Sequence, residues 1–319
     1  MKFVMYKYQE RDYRFGLLEN EKILDLNLAY EYILEKEGIR RAREIAAALL
    51  PCDSVDFLAG GEPSRQAFEH TLAHFPREED ARVRGMRIIL NFNEVLLGAP
   101  VRNPKRIICI AHNYHDFVQE IGAPIPPEPR IFSKYFNALC GPFDPIPYPS
   151  MTKCLGYEAE LAFVVSKPAR HVPIEKAFEY IAGYTILNDI SASDLTSMDK
   201  QVLRGKTFDN FAPCGPYLVT GDEVGDPGQL ALKLWVNDRV LQESNTNQLI
   251  YNVPHLLAFL SEIFTLEPGD IVATGTPGGL AKDRKPTTYM SVGDLCVVEF
   301  EKLGRIENKI IAAETCSNA

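Results

Sequence analysis

Two glutamates stand two residues apart in an otherwise apolar segment, LGYEAELAFVV, residues 155–165. Side chains two apart on a strand share a face, so Glu158 and Glu160 point the same way if this segment is a strand. Two carboxylates with apolar neighbours repel each other and resist the loss of water. Either this end of the strand faces solvent, or a positive charge lies between the two glutamates.

A third carboxylate, Asp189, ends a second apolar segment, GYTILND, residues 183–189. If the two segments pair as strands, three carboxylates converge with no histidine among them. Oxygen-only ligands suit a hard cation such as Mg²⁺, Mn²⁺ or Ca²⁺ better than zinc. A solvated strand face and a turn aspartate would explain the same residues, and Glu-x-Glu alone does not decide between the two.

Two lysines and a glycine-rich loop are further candidates for chemistry. Lys134 lies in IFSKY and Lys206 in RGKTFDNFAP, where a buried ammonium group could face a developing oxyanion, although surface lysines that snorkel are common. The segment GDIVATGTPGGL, residues 269–280, could present N–H groups and hydroxyls to an anion. It lacks the Gly-Lys-Ser/Thr ending of a phosphate-binding loop, and a simple glycine-rich turn is the alternative.

The segment CIAHNYHDFVQE, residues 109–120, places several titratable side chains directly after an apolar run. His112, His115, Asp116 and Glu120 are the residues concerned, and a His/Glu pair can act as a general base. A polar helix start just past a strand explains the segment equally well.

Composition limits the class of protein. The chain has 319 residues, 46% hydrophobic and 24% charged, which predicts a large core and more than one domain. No apolar run approaches a membrane span, and the N-terminal residues lack the apolar region of a secretory signal. The net charge of −9 argues against nucleic-acid binding and requires local cations for an anionic substrate. Seven cysteines without zinc-type spacing predict reduced thiols in a cytoplasmic protein.

Apolar periodicity predicts the elements that position these residues. We expect a small N-terminal α+β domain over residues 1–100, with a helix from about 28 to 50 that Pro51 ends, then a linker near 99–106. Residues 101–319 should form a mainly β catalytic domain. Its strands are predicted at 158–165, 183–188, 215–220, 231–237, 270–274 and 295–300. Its helices are predicted at about 174–181 and 254–263.

Taken together and in order, these motifs resemble the fumarylacetoacetate hydrolase superfamily. The resemblance spans about residues 104–311. The matching segments are IICIAHNYHDFVQE, PEPRIFSK, GYEAELAFVV, AGYTILNDISASD, GKTFDNFAPCGPYLV, LWVNDRVLQESNTNQLIY, PGDIVATGTPGG and VGDLCVVEFEKLGRIENKI. Within the superfamily, QESNTNQ and DRKP are most similar to the branch of fumarylacetoacetate hydrolase domain-containing protein 2 and its bacterial relatives.

The resemblance implies a mixed α/β, mainly β fold of the family's β-roll type, usually dimeric, so a homodimer is expected. It implies that Glu158, Glu160 and Asp189 bind Mg²⁺ or Mn²⁺, which would be the positive charge between the two glutamates. Lys206 matches the lysine that faces the substrate and its oxyanion. Thr276 matches the residue that contacts the substrate carboxylate.

The remaining binding and acid–base roles also come from the resemblance. Gly275, Lys134 and Tyr114 are expected to bind substrate. Family substrates are small anionic 2-oxo and 2,4-dioxo acids that react through an enolate. The family default is C–C hydrolysis of an acylpyruvate-type acid, and Glu120, with His115 as a possible substitute, would handle the proton.

One position departs from the hydrolytic pattern. Many hydrolytic relatives read Asn-Tyr-x-Asp-His-x-x-Glu, but Phe117 stands where that histidine would be. Loss of a general base costs about 10²–10⁴-fold in rate, which weakens any reaction that must activate water. The alternative is a tautomerase, isomerase or decarboxylase of an oxaloacetate-like acid. A third hypothesis is a non-catalytic protein that binds a metal or a 2-oxo acid.

Overall fold

A computed structural model of the chain describes residues 1–9, 11–198 and 201–313. In these residues the strands are β1 (Lys2–Lys7), β2 (Arg14–Glu19), β3 (Lys22–Asp25), β4 (Arg82–Val83), β5 (Met86–Arg87), β6 (Ile89–Asn91), β7 (Leu96–Gly98), β8 (Ile107–Ala111), β9 (Arg130–Lys134), β10 (Leu139–Cys140), β11 (Ile146–Tyr148), β12 (Leu155–Gly156), β13 (Ala159–Val165), β14 (Ile181–Asn188), β15 (Ser191–Ala192), β16 (Ala212–Val219), β17 (Ala231–Val236), β18 (Arg239–Asn245), β19 (Ile271–Ala273), β20 (Leu295–Phe300) and β21 (Gly304–Ala312).

The same residues also form short α-helices. They are α1 (Leu26–Lys36), α2 (Ala42–Leu49), α3 (Ser54–Ala59), α4 (Gly61–His74), α5 (His115–Glu120), α6 (Ser193–Met198), α7 (Val202–Lys206), α8 (Gly221–Val224) and α9 (Val253–Ile263). Short 3₁₀ turns cover Phe92–Glu94, Phe136–Ala138, Ile174–Tyr180 and Thr246–Gln248. None of these helices has the length and apolar character needed to cross a membrane.

Two of the predicted helices are wrong in detail. The helix expected over 28–50 is two helices, α1 and α2, because Gly38 follows the end of α1 in the left-handed region (φ +72°). Glycine adopts that conformation without strain and stops a helix there. The helix expected at 174–181 is the 3₁₀ turn Ile174–Tyr180, whereas α9 confirms the helix predicted near 254–263.

The fold is mixed α/β and mainly β, as predicted. All six strands predicted in the catalytic part are present as β13, β14, β16, β17, β19 and β20, with ends shifted by up to three residues. The largest sheet has the order β6-β3-β2-β1-β16-β14-β13-β19-β8-β9, and a second sheet has the order β11-β21-β20-β17-β18. Strand β1 pairs with β16, so the N-terminal strands extend the large sheet. A domain boundary at residues 100/101 stays a prediction.

The centre of the large sheet positions the carboxylates. Every residue of β13 is buried, which explains its almost continuously apolar sequence, since both faces of the sheet are covered. Strand β13 runs antiparallel to β14, with Ala159 opposite Asn188 and Glu160 opposite Leu187. Just beyond this ladder, the Asp189 N–H donates to the Glu158 carbonyl oxygen (2.8 Å). The start of β13 and the end of β14 therefore lie side by side.

Candidate metal centre

Three carboxylates converge where β13 begins and β14 ends. One carboxylate oxygen from each of Glu158, Glu160 and Asp189 lies within 4.8 Å of the other two. Glu160 and Asp189 are buried, and the Glu158 side chain is 16% exposed. The solvated strand face that sequence alone left open is therefore not what the structure contains.

Two lysines complete this cluster. Lys206 Nζ, at the end of α7, lies 2.8 Å from Glu158 Oε1 and 2.7 Å from Asp189 Oδ2. Lys134 Nζ, at the end of β9, lies 2.6 Å from Asp189 Oδ1 and donates to the Ile190 carbonyl oxygen (3.0 Å). Neither lysine snorkels to the surface, since both are buried. We call these five residues, the three carboxylates and two lysines, the carboxylate floor.

Burial and neighbouring charge act differently on the three acids. Burial raises the pKa of Glu160 well above its usual value, and the negative charges of Asp189 and Glu158 raise it further. Burial also raises the pKa of Asp189, but Lys134 and Lys206 outweigh it and hold that pKa below its usual value. Burial raises the pKa of Glu158 as well, so Glu158 and Glu160 resist ionisation in the absence of further positive charge.

The residues present fit a hard divalent cation. Three carboxylates and two ammonium groups leave one formal negative charge in a buried space. A divalent cation would reverse that sign and relieve the repulsion that raises the pKa of Glu160. The donors are all oxygen atoms, which Mg²⁺ and Mn²⁺ accept readily. The cluster can therefore bind a divalent metal.

The glycine-rich loop after β19 supports this cluster directly. Gly275 has φ +100°, and a Cβ there would lie 2.9 Å from the Ile110 carbonyl oxygen, so only glycine fits. Its N–H donates to Glu160 Oε2 (2.8 Å). Thr276 Oγ1 accepts a hydrogen bond from Gln242 Nε2 (2.9 Å), so its own hydroxyl hydrogen can be donated elsewhere. Gly275 thus orients a carboxylate, and Thr276 offers a donor.

A cavity of about 210 Å³ lies over the floor. Glu158, Glu160, Lys206 and Thr276 line it, whereas Lys134 and Asp189 are not among its lining residues. Lining side chains to which sequence reasoning assigned no role include Phe132, Ser191, Ser193 and Lys282, and His112, named there only as a candidate base, lines the cavity as well. Lys134 bonds Asp189, and the substrate-binding role expected of it stays a prediction.

The segment around α5 contributes differently from what its sequence suggested. Phe117 is buried and lines the cavity. His115 is exposed and is not a lining residue, and Glu120 Oε2 accepts a hydrogen bond from the Gly279 N–H (2.6 Å). Tyr114 is fully buried, and its hydroxyl has no hydrogen-bond partner within the described residues. The acid–base and substrate-binding roles expected of His115, Glu120 and Tyr114 stay predictions.

Of the two histidines in that segment, His112 is the one at the cavity. The available signal was its position directly after the strand β8, whose end borders the site. The His/Glu spacing of the hydrolytic pattern instead favoured residues 115 and 117 as the positions for a general base.

A buried cluster of three carboxylates is a site that could hold a divalent cation. Residues 106–311 match the family described as "Fumarylacetoacetate (FAA) hydrolase C-terminal", and the chain belongs to the fumarylacetoacetate hydrolase family. Oxaloacetate tautomerase fahd2, mitochondrial, of Xenopus laevis is 40% identical over 264 residues, which are 82% of this chain and 79% of that protein. Oxaloacetate tautomerase FAHD2B, mitochondrial, of Homo sapiens is 39% identical and covers 82% and 81%.

Solved structures agree with the fold. A fumarylacetoacetate hydrolase from Exiguobacterium antarcticum has a TM-score of 0.77 and 29% identity, covering 98% of this chain and 99% of its own. A maleylpyruvate hydrolase from Sphingobium sp. SYK-6, in complex with manganese(II) ion and pyruvate, has a TM-score of 0.73 and 27% identity, covering 98% and 100%. These relatives are enzymes, and so is this chain; a non-catalytic binding protein finds no support among them.

Proposed function

We propose that this enzyme is a divalent-cation-dependent tautomerase of oxaloacetate or a closely similar 2-oxo acid. The observation that carries the proposal is the combination of a complete carboxylate floor with an apolar side chain, Phe117, at the cavity wall. The named activity of relatives about 40% identical supports it. The C–C hydrolysis that the family default suggests receives less support, because it must activate water.

Tautomerisation asks little of the protein in covalent terms. A proton leaves C3 of the keto acid and a proton is added to the oxygen on C2, with no change in the carbon skeleton and no water consumed. The barrier lies in the negative charge that develops on the C2 oxygen. Groups that stabilise this charge supply most of the catalysis.

The residues of the floor match this requirement. Glu158, Glu160 and Asp189 would hold Mg²⁺ or Mn²⁺, which when bound supplies Lewis-acid polarisation of the 2-oxo group. Lys206 remains protonated, because Asp189 and Glu158 outweigh burial and hold its pKa above the usual value. Its positive charge can stabilise the C2 oxygen as negative charge develops there. The Thr276 hydroxyl can donate to the C1 carboxylate.

Phe117 and its neighbours limit the reactions that the cavity can catalyse. Phenylalanine takes no proton, and its ring excludes water from the wall it occupies. The carboxylate of Glu120 accepts from Gly279, on the loop rather than in the cavity lining. Water activation therefore lacks the His/Glu pair of the hydrolytic pattern, whereas the three carboxylates and Lys206 that would stabilise an enolate are in place.

Three further parts of the proposal concern the cation, the oligomeric state and the location of the enzyme. Either Mg²⁺ or Mn²⁺ is the cation, and the manganese(II) complex of the maleylpyruvate hydrolase supports the second. The enzyme that binds the small acid is expected to be a homodimer, as the family resemblance implies. The names of similar tautomerases carry the word mitochondrial, so the cytoplasmic location expected from the cysteines stays a prediction.

The test uses metal-stripped protein to which Mg²⁺ or Mn²⁺ is returned. Conversion of enol-oxaloacetate to the keto form is followed by loss of enol absorbance, and thermal unfolding is followed in parallel. We expect metal to restore turnover and to raise Tm, and the Glu160→Gln variant to show neither effect. Metal-dependent stabilisation of the wild-type protein without faster ketonisation would overturn the tautomerase proposal.

A further inference from the structure

The outer part of the cavity carries positive groups that the carboxylate floor does not use. His112 and Lys282 line the cavity, and Arg130 contacts His112 from β9. We call these three residues the cationic mouth. They lie on different parts of the chain, at the end of β8, at the start of β9 and after the glycine-rich loop.

The contact between Arg130 and His112 fixes the hydrogen-bonding character of the histidine. Strand register places Arg130 opposite Ala111, so its side chain reaches the next residue, with Arg130 Nη1 3.1 Å from His112 Nδ1. A guanidinium group can only donate, so Nδ1 must accept. The proton of the neutral imidazole then resides on Nε2, and His112 offers a cavity ligand an N–H donor rather than a base.

The backbone holds His112 in place for this role. His112 has φ +57°, a left-handed conformation that costs energy for a residue with a side chain. The next residue, Asn113, is buried and fixes the turn, because its amide donates to the Thr274 and Tyr251 carbonyl oxygens (2.8 and 3.0 Å). Its side-chain oxygen also accepts from the Tyr251 N–H (2.8 Å). The conformation is thus imposed by the surrounding structure.

Lys282 adds an exposed positive charge to the mouth. Its side chain is exposed at the cavity, and within the described residues its ammonium group has no hydrogen bond or ion pair. Its charge nevertheless acts on the pKa of His112 in the mouth and of Glu158 in the floor. Burial, Arg130 and Lys282 together hold the pKa of His112 below its usual value, so the ring is neutral near pH 7. Burial raises the pKa of Glu158, and Lys206 and Lys282 are among the charges that oppose the rise.

We propose that His112, Arg130 and Lys282 form a subsite for the second carboxylate of a dicarboxylic 2-oxo acid. The inference rests on the proposed function, in which the C1 carboxylate and the 2-oxo group lie at the floor. A second carboxylate then extends toward the mouth, where Lys282 and the Nε2–H donor of His112 line the cavity, and Arg130 adds a second positive charge through its contact with His112. Charge-assisted hydrogen bonds of this kind are the strong ones in ligand recognition.

The subsite predicts that the enzyme distinguishes 2-oxo acids with a second carboxylate from those without one. Pyruvate has the same 2-oxo acid head as oxaloacetate but no second carboxylate, so it contacts the floor alone. Removal of one mouth cation should weaken oxaloacetate binding and leave pyruvate binding unchanged. A purely structural role for the same residues would affect both ligands alike.

The experiment compares Lys282→Met and His112→Phe with two matched variants. Lys285→Met removes an exposed lysine of the same loop that does not line the cavity, and His112→Gln keeps an N–H donor. In the presence of Mg²⁺ we would measure KM for oxaloacetate and Ki for pyruvate. The dissociation constant of the non-enolisable 3,3-difluorooxaloacetate is measured by calorimetry.

We expect Lys282→Met and His112→Phe to weaken both dicarboxylates about tenfold, with pyruvate inhibition changed by less than about twofold. Lys285→Met should match the wild type, and His112→Gln should recover most of the loss. Equal weakening of both ligand classes, or no weakening of either, would overturn the subsite. If wild-type protein binds the difluoro compound selectively but does not turn over oxaloacetate, the proposed function fails and the subsite survives. Wild-type protein that binds neither ligand contradicts both.

Discussion

The carboxylate floor and the cationic mouth lie in one cavity but are built in opposite ways. Floor residues lie at the ends of strands of the large sheet and of a short helix, and they are bonded to one another in a buried space. Mouth residues lie just after a strand, at the start of a strand or in a loop, and Lys282 has no ion pair within the described residues. The floor is buried and carries a formal negative charge until a cation binds, whereas the mouth is open and keeps positive charge for a ligand.

This difference separates chemistry from specificity. A reaction that stabilises charge on one oxygen needs donors fixed to within fractions of an ångström, which buried strand ends supply. Selection of a second carboxylate needs only attraction at a distance, which exposed cations supply at smaller energetic gain. Changes at the floor should therefore be severe and unspecific, and changes at the mouth mild and selective.

The largest effect is expected from Glu160→Gln. The variant keeps the shape of the side chain but removes one ligand charge, so turnover of oxaloacetate should fall by about 10³-fold. The rise in Tm on addition of Mg²⁺ should be lost with it. Glu299→Gln, which removes an exposed carboxylate on β20, is the control and should behave as the wild type. Retention of both activity and metal-dependent stabilisation in Glu160→Gln would show that the metal lies elsewhere.

Lys134→Met tests the floor through stability. The substitution leaves buried Asp189 with one of its two ammonium partners, and the free energy of unfolding should fall by about 3 kcal/mol, at the lower end for a broken buried pair. Lys282→Met should change it by less than about 0.5 kcal/mol, as is usual for an exposed residue. Denaturant unfolding of the two variants measures this contrast directly. Similar values for both would remove the distinction between floor and mouth.

The Phe117→His substitution tests whether the absence of a histidine at this position determines which reaction the enzyme catalyses. The substitution restores the Asn-Tyr-x-Asp-His-x-x-Glu pattern, with Glu120 three residues further on. We expect cleavage of an acylpyruvate to rise by about 10²-fold, the lower end of general-base catalysis, while oxaloacetate ketonisation changes by less than about threefold. Glu120→Gln in the same background should remove the gain and leave ketonisation in place. A Phe117→His variant that loses ketonisation instead would give Phe117 a direct role in that reaction.

The smallest effect is expected from Tyr114→Phe. The hydroxyl is buried without a hydrogen-bond partner in the described residues, so its removal should alter the free energy of unfolding by less than about 0.5 kcal/mol. Neither KM for oxaloacetate nor Ki for pyruvate should change. A severalfold rise in KM would support the substrate-binding role that the family resemblance implies for this residue.

The floor was more predictable from sequence than the mouth, for a physical reason. Alternation along a strand places Glu158 and Glu160 on one face, and an acid at the end of the next strand reaches them if the two strands pair. What alternation could not give is that Lys134 bonds Asp189, because that contact joins segments 55 residues apart.

The mouth depends on features that no local pattern encodes. His112 reaches the cavity through a left-handed backbone conformation, and the hydrogen bonds of Asn113 with Tyr251 and Thr274 hold it there. Arg130 reaches His112 through the register of two strands. The one long helix that proved to be two has a local cause instead, since Gly38 ends α1 in a left-handed conformation where apolar periodicity alone continues.

The most direct test of the central claim measures both reactions on one preparation of metal-stripped protein with Mg²⁺ or Mn²⁺ restored. One assay follows enol-oxaloacetate ketonisation, and the other follows acylpyruvate cleavage by loss of enol absorbance. The account predicts metal-dependent ketonisation with acylpyruvate cleavage at background, and both at background in Glu160→Gln. Metal-dependent acylpyruvate cleavage without ketonisation would contradict it, and would mean that another group activates water in place of the histidine that Phe117 replaces.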